Sequence, residues 1–571
     1  MGGFLLLSLY LYNGLWLDLG QGYLWNSAAD QNQWEWYVSV TANSLLHGEN
    51  PLSSGLQNAP LGVNMMANAS MFGLAIPLAP ITLTFGPTVT WAIVLTAGLA
   101  GTAAAWYWVF SRHLVRHRTG AALGGLFCGF APPMISHGNA HPNFVVLFVL
   151  PFLFLKVVQI ARGERPIRNG VHLGLLTAFQ VVLGEEPLMI FALGFLVFVL
   201  AYFATRFREF PAMVKPLAKG LCVGIAVFLV LVAFPLWWQF FGPQSFQSLH
   251  HGPAGNDAAA MTRFATQSLA GDAKAAAEVS MNRTEENAFF GWPLIGLMVV
   301  LTIWLWREVV ARSLAISMVV MAVLSLGVEI KAAQEDTGIP GPWKWLAHLP
   351  LLDSLLESRL AMAAIPAIGA LLAIAVERVA TVADTLPAPA EGQRAFPLRL
   401  LWLGVIGAVL LPIAPTPLVV KTRPSSPAFF TQGTWRTYVD PGGTVVPVPL
   451  VSTGESEPLH WQLDAGLGYS MPEGYFVGPS GPDDPRGRYG ADPRPTSKLF
   501  EQVRKSGDIP PVNDTQRAEA LRDLRYWNAD VLVLIPRDND NALRGTVDLL
   551  LRKPGQFVEG VWVWDVRAVT P

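Results

Sequence analysis

Apolar runs long enough to cross a hydrocarbon core of about 30 Å recur along most of this chain. They fall at residues 88–110, 120–135, 143–160, 170–183, 187–204, 221–240, 288–306, 314–330, 360–376 and 398–420. At 52% hydrophobic and 14% charged, the 571 residues are too apolar for an ordinary water-soluble enzyme. Lys and Arg number 39 against 41 Asp and Glu, so no global field recruits nucleic acid. Both cysteines, Cys128 and Cys222, lie inside apolar runs, which excludes a disulfide framework and a Cys-based metal site.

Cytoplasmic loops carry the excess of positive charge. Here every second loop does: Arg112, Arg116 and Arg118; then Arg162, Arg165 and Arg168; then Arg206, Arg208, Lys215 and Lys219; then Arg307 and Arg312; then Arg378 and Arg394. The connections 137–142, 184–187, 241–287 and 331–359, and everything after Lys421, are therefore expected outside. Residues 4–17 read as a first span and 20–70 as an outer loop. Parity then requires 71–85 to dip in and return, a broken element marked by Pro77 and Pro80. The fold expected is mainly α, a polytopic bundle of about eleven spans.

Beyond residue 421 the composition becomes that of a soluble segment. Short β-type runs at 444–451, 531–535 and 561–566 alternate with helical stretches at 514–527 and 543–551, a small extracytoplasmic α/β domain over 422–571. Residues 480–495 read as an extended loop and 379–397 as an inner linker, so the membrane domain is 1–421 with outer loops at 20–70, 241–287 and 331–359.

The unusual polar residues gather on the outer side. Asp30 lies among amides just before the aromatic stretch 34–46, which is expected to lie along the membrane surface. It reads either as a catalytic carboxylate or as a helix cap. His137 and His141 are four apart at a span end, a spacing that suits one metal on a regular helix. Gly138 and Pro142 favour hydrogen-bonding imidazoles instead. Glu185 and Glu186 interrupt an apolar hairpin, where paired acids are either functional or a wet turn. The long outer loop holds His250, His251, Asp257, Arg263 and a run with Glu285 and Glu286. Arg359 heads a span from the outer side, against the charge trend, which calls for a phosphate or carboxylate partner, Glu357 being a nearby one. No phosphate-binding glycine loop, Gly-x-Ser-x-Gly elbow or His-Glu-x-x-His pair occurs.

The order of these features resembles the GT-C class of polytopic glycosyltransferases. Within that class it is similar to bacterial membrane proteins that carry an Asp-Gln segment, a His-Gly-x-Asn-Pro turn, an Ala-Pro-x-Gly-x-Asn turn, a Leu-Ala-Pro-x-Thr-x-x-Phe-Gly-Pro segment and a Gly-x-x-x-Gly-Phe-x-Pro-x-x-x-x-His span end. Here these stand at Asp30-Gln31, 47–51, 59–64, 78–87 and Gly125 to His137, so the likeness covers the N-terminal third in motif and the remaining spans in architecture. The resemblance implies transfer of a sugar from a polyprenyl-phosphate donor to an outer-face glycan or protein acceptor, with inversion, in the cell membrane. By the same carry-over Asp30 is the base and Glu285 and Glu286 are second catalytic candidates. Arg359, His137 and His141 would hold the phosphate, and Glu185 and Glu186 would line the substrate site. Asp30-Gln31-Asn32 is not the Asp-x-Asp metal pair of some members, which leaves a divalent metal open and no cofactor assigned. The competing functions are a lipid or polysaccharide transporter and a noncatalytic cell-envelope assembly protein.

Overall fold

The computed structural model describes residues 1–249, 251–385, 398–537 and 540–570. His250, Arg394 and the 386–397 part of the inner linker lie outside the described residues. Among the described residues three helical stretches are long and apolar enough to cross a membrane, Pro87–His113, Glu185–Phe241 and Glu357–Thr385. Shorter apolar helices are Gly2–Leu11, Phe72–Phe85, Leu150–Ala161, Trp292–Leu305 and Val309–Leu324, with a further apolar stretch at Leu398–Ile413. Glu185–Phe241 holds two of the sequence's apolar runs as Glu185–Arg206 and Phe210–Phe241, joined through a 3₁₀ turn at Phe207–Glu209. It leaves Leu196, Leu200, Leu229, Val230 and Phe234 exposed. So long an uncovered apolar surface is at home in lipid, and the chain is a membrane protein.

Chain contacts divide the molecule into two compact units. The first comprises Met1–Ser27, Ala92–Ala233 and His251–Lys421. Its helices close on small residues: a Cβ on Gly170 would stand 2.3 Å from the Gly220 carbonyl oxygen, and one on Gly174 2.4 Å from that of Gly224. The helices Pro166–Val181 and Phe210–Phe241 can thus touch backbone to backbone, as membrane helices do where packing replaces the hydrophobic effect.

The second unit comprises Ala28–Trp91, Phe234–His250 and Thr422–Pro571. A boundary of the two units falls between residues 421 and 422, and two earlier segments group with the tail. In the tail, Thr444–Pro447 and Ala529–Leu534 pair in parallel, Val533 opposite Pro447. Val561–Asp565 runs antiparallel on the other side of Ala529–Leu534, with Leu532 opposite Trp564. Gln556–Val558 closes the sheet. Val446, Leu532 and Trp564 on the sheet bury against Phe500, Leu524 and Val547, which lie on the helices Pro495–Ser506, Asp514–Tyr526 and Asn541–Leu551. A capping box of Asn513 and Gln516 starts the middle helix.

Three expectations are corrected. Residues 71–85 contain the continuous helix Phe72–Phe85 with Pro77 and Pro80 inside it. The rings are three residues apart, so the two lost backbone bonds fall toward one side and the other side carries the helix. The stretch 34–46 lies within the helix Ala28–His47, whose Trp34, Trp36, Tyr37, Val38 and Val40 are buried in protein. That helix packs against Phe72–Phe85 and Glu457–Asp464, so its aromatic residues serve a core. Residues 480–495 contain not a loop alone but the hairpin of Val477–Gly481 and Asp484–Tyr489.

Candidate functional site

Five of the residues singled out in the sequence meet in the first unit: His137, His141, Glu285, Arg359 and Glu186. Four are delivered at or near the end of an element, and Glu285 by a turn. His137 is the last residue of the helix Pro132–His137, and His141 immediately precedes Pro142–Val145. The turn between them is held by the buried Tyr12 hydroxyl, which donates to the Gly138 carbonyl at 2.9 Å. Glu186 lies in the first turn of Glu185–Arg206, and Arg359 in the 3₁₀ turn Glu357–Ala363. Glu285 is placed by a turn in which Asn282 Oδ1 accepts from the Thr284 amide and hydroxyl, both at 2.8 Å.

Arg359 is the hub. Its Nε donates to both oxygens of Glu285 at 3.1 Å, its Nη2 to Glu285 Oε1, and its Nη1 to Glu186 Oε2 at 2.5 Å. The other Glu186 oxygen accepts from the Leu356 amide at 3.2 Å. The guanidinium carbon stands 4.6 Å from the ring centre of Phe144, and the same ring stacks with His137 at 4.7 Å. Arg359 finds its carboxylate partners in Glu285 and Glu186 rather than in the nearby Glu357, which accepts from the Ala254 amide at 3.3 Å.

The imidazoles form a chain whose proton positions follow from their neighbours. Asn287 Nδ2 donates to Glu285 Oε2 at 2.8 Å and to Ser358 Oγ at 3.1 Å, so its Oδ1 is the atom facing His137 Nε2 at 2.7 Å. Nε2 of His137 therefore carries the hydrogen, and its Nδ1 presents a lone pair to His141 Nδ1 at 2.9 Å. His141 Nδ1 is also 3.6 Å from Glu285 Oε1. Burial pushes His137 down to about 4, Glu285 opposing and Arg359 reinforcing the shift. Burial likewise holds His141 well below the usual histidine range. For Glu285 burial acts upward, but Arg359 and then the two histidines outweigh it, and the carboxyl stays ionised far below its ordinary range.

Glu286 is engaged elsewhere. Glu286 accepts from the Thr266 amide at 2.8 Å and from the Thr266 hydroxyl, which ties its loop together. Glu185 is half-buried beside Glu186 at the start of the same helix.

Asp30 belongs to the second unit, in the first turn of Ala28–His47. Its Oδ1 accepts the phenolic hydrogen of Tyr475. Burial, then the Asp30 charge, push that phenol well above its ordinary range, so the proton stays on tyrosine. Tyr475 is strapped in place: its amide donates to Gln57 Oε1 at 2.9 Å, and its carbonyl accepts from Gln33 Nε2 at 3.0 Å. Two residues on, the Val477 amide and carbonyl bind the Asn68 side chain at 2.7 and 2.9 Å. The Ala-Pro-Leu-Gly-Val-Asn turn supports the same strap, since the Asn58 and Ala59 amides donate to the carbonyls of Glu473 and Met471 at 2.7 and 3.0 Å. Sequence reasoning missed Tyr475, Asn287, Ser358 and Phe144. Asn287 alone carried a signal, two residues after Glu285 in a run already marked as polar.

No protein-family model matches the chain, and no curated protein does. Among solved structures it is similar to the arabinofuranosyltransferase AftD from Mycobacteria, seen by single-particle cryo-EM, with a TM-score of 0.50 and 14% identity over 90% of this chain and 36% of that one. ArnT from Cupriavidus metallidurans bound to undecaprenyl phosphate gives a TM-score of 0.47 and 11% identity, covering 100% and 99% of the two chains. The oligosaccharyltransferase AglB from Archaeoglobus fulgidus, in complex with an inhibitory peptide and a dolichol-phosphate, gives 0.47 and 9% over 88% of this chain and 65% of its own. This chain thus spans just under two thirds of the archaeal enzyme and about a third of AftD. At such identity the likeness is one of fold, and the fold, shared with AftD, is GT-C-like.

Proposed function

We propose that this chain, on its GT-C-like fold, is an integral membrane glycosyltransferase. It moves a sugar from a polyprenyl-phosphate donor to an extracytoplasmic acceptor, a glycan or a protein, with inversion at the anomeric carbon. The observation that carries the reading is the Glu285, Arg359 and Glu186 cluster with its two imidazoles. Burying charges in an apolar bundle costs several kcal/mol per ion before pairing, so such a group is retained for chemistry more readily than for stability.

In the reaction Asp30 takes the proton of the acceptor hydroxyl as its oxygen attacks the anomeric carbon. The bond from that carbon to the phosphate oxygen breaks, and the polyprenyl phosphate departs with the electron pair and needs no proton. One base therefore suffices, and a single displacement inverts the centre. Tyr475 donates to the charged form of Asp30 and keeps the carboxylate ready. Arg359, with His137 and His141, is assigned to the phosphate end of the donor, Glu186 and Glu285 orienting the guanidinium. Glu285 and Glu286 remain the second candidates for the base, and Glu185 for the substrate wall. The chain is assigned about eleven spans, with residues 422–571 outside the cytoplasm.

The test is glycosyl transfer from a panel of radiolabelled polyprenyl-phosphate sugars to membrane glycans, comparing wild type with Asp30→Asn at equal expression. Transfer abolished by that substitution supports both reaction and base. Transfer unchanged moves the base to Glu285 or Glu286, and no transfer from any donor overturns the enzyme reading.

A further inference from the structure

We infer that His137, His141 and Glu285 form a divalent-cation site. The argument begins with the tautomer. Because Asn287 Oδ1 takes the Nε2 hydrogen of His137 at 2.7 Å, the Nδ1 lone pair points at His141 Nδ1, 2.9 Å away. A metal-bound histidine shows this arrangement, its far nitrogen donating to an oxygen that fixes the ring. The same Asn287 side chain donates to Glu285, so one amide orients two of the three donors.

The distances agree. Two nitrogens each about 2.05 Å from one ion subtend about 90° at 2.9 Å separation, and opening to about 3.3 Å gives a tetrahedral angle. The donor atoms of the three residues all lie within 4.8 Å of one another. Donors on one tetrahedral ion stand about 3.3 Å apart, so closing the set asks for side-chain movement of up to about 1.5 Å.

Charge gives the second reason. Arg359 brings one positive charge against the carboxylates of Glu285 and Glu186, and it is bound to both. With neutral imidazoles and both paired carboxylates ionised, the cluster carries a net negative charge, which favours a cation. Two imidazoles with one carboxylate, leaving a position open, make the donor set of catalytic zinc sites. The cation's role, though not its existence, rests on the function proposed above: it would add to Arg359 a second positive charge at the leaving phosphate.

The probe is Zn²⁺. Detergent-purified full-length protein is stripped with EDTA, titrated with Zn²⁺ by calorimetry, and its metal content read by mass spectrometry. About one Zn²⁺ per chain is expected, with binding 100-fold or more weaker in His141→Gln and about 10- to 100-fold weaker in Asn287→Leu, which removes only the orienting amide. X-ray absorption at the zinc edge of the wild type should show two imidazole nitrogens, a reading that does not depend on any variant folding. Zinc bound equally by wild type and by folded His141→Gln, no stoichiometric zinc, or an edge spectrum without imidazole would each leave a hydrogen-bonded histidine pair and overturn the site. No transfer assay enters, so the metal site and the proposed reaction can fail separately.

Discussion

Arg423→Met should loosen the helix that carries Asp30. Arg423 is 3% exposed and Glu35 0%, and Arg423 Nη2 donates to Glu35 Oε2 at 2.7 Å. The other Glu35 oxygen accepts from Gln31 Nε2 at 2.8 Å, so the carboxylate has no route to water. Removing the arginine leaves a buried charge with one neutral donor, a loss of about 3–5 kcal/mol. Replacing both members, Glu35→Gln with Arg423→Met, keeps the acceptor for Gln31 and removes the stranded charge, and should recover most of that loss. The assay is hydrogen exchange of the amides in Ala28–His47, read by mass spectrometry on detergent-solubilised protein. Exchange in Arg423→Met should quicken by roughly two to four orders of magnitude, since about 1.4 kcal/mol is tenfold, and the double variant should return toward wild type. If the single variant exchanges as slowly as wild type, or the double variant as fast as the single, the stranded-charge argument is wrong.

Three further outcomes are expected. Tyr475→Phe deletes a charge-assisted hydrogen bond to Asp30, worth about 1.5–3 kcal/mol, so the acid limb of the transfer-rate profile should move up by about 1–2 pH units; an unmoved limb would remove Tyr475 from the site. Gly174→Val places side-chain atoms where a Cβ already comes within 2.4 Å of the Gly224 carbonyl, and should lower thermal stability in detergent by about 1–3 kcal/mol, while an exposed Gly404→Val changes little. His460 is pushed down to about 3 by burial and by Arg423, whose Nη1 donates to its Nδ1 at 2.7 Å. Between about pH 6.5 and 3 the unfolded chain binds the extra proton, so stability falls as pH falls through that window; His460→Gln should flatten the slope, and equal slopes would count against a neutral buried ring.

Hydropathy located some of the long helices, because lipid imposes a length and a composition on any segment that crosses it, while runs 120–135 and 143–160 are each divided between two helices. The run 88–110 lies within Pro87–His113, and 360–376 within Glu357–Thr385. Arg359 was legible as a cation in need of a carboxylate or a phosphate, since its position ran against the charge trend. Its partners were not, because Glu186 and Glu285 are 173 and 74 residues away and pairing over such distances leaves no local pattern. Tyr475 was hidden in the same way, 445 residues from Asp30. The aromatic residues of 34–46 misled because interfacial and buried helices share Trp and Tyr; only the neighbours decide, and here they are Phe72–Phe85 and Glu457–Asp464. The prolines of 71–85 misled because a break is their commonest effect on a helix but not a necessary one.

The grouping of Ala28–Trp91 with Thr422–Pro571 also sets a timetable for the growing chain. Glu35 leaves the ribosome 388 residues ahead of Arg423, and at about 5–20 residues per second that is an interval of roughly 20–80 seconds. Throughout it the helix bearing Asp30 lacks the arginine that neutralises it and the tyrosine that binds its carboxylate. A nascent chain therefore lacks both partners of this helix until about its last quarter is made, and one cut at residue 421 should be recognised by quality control as unfinished however well its spans have inserted.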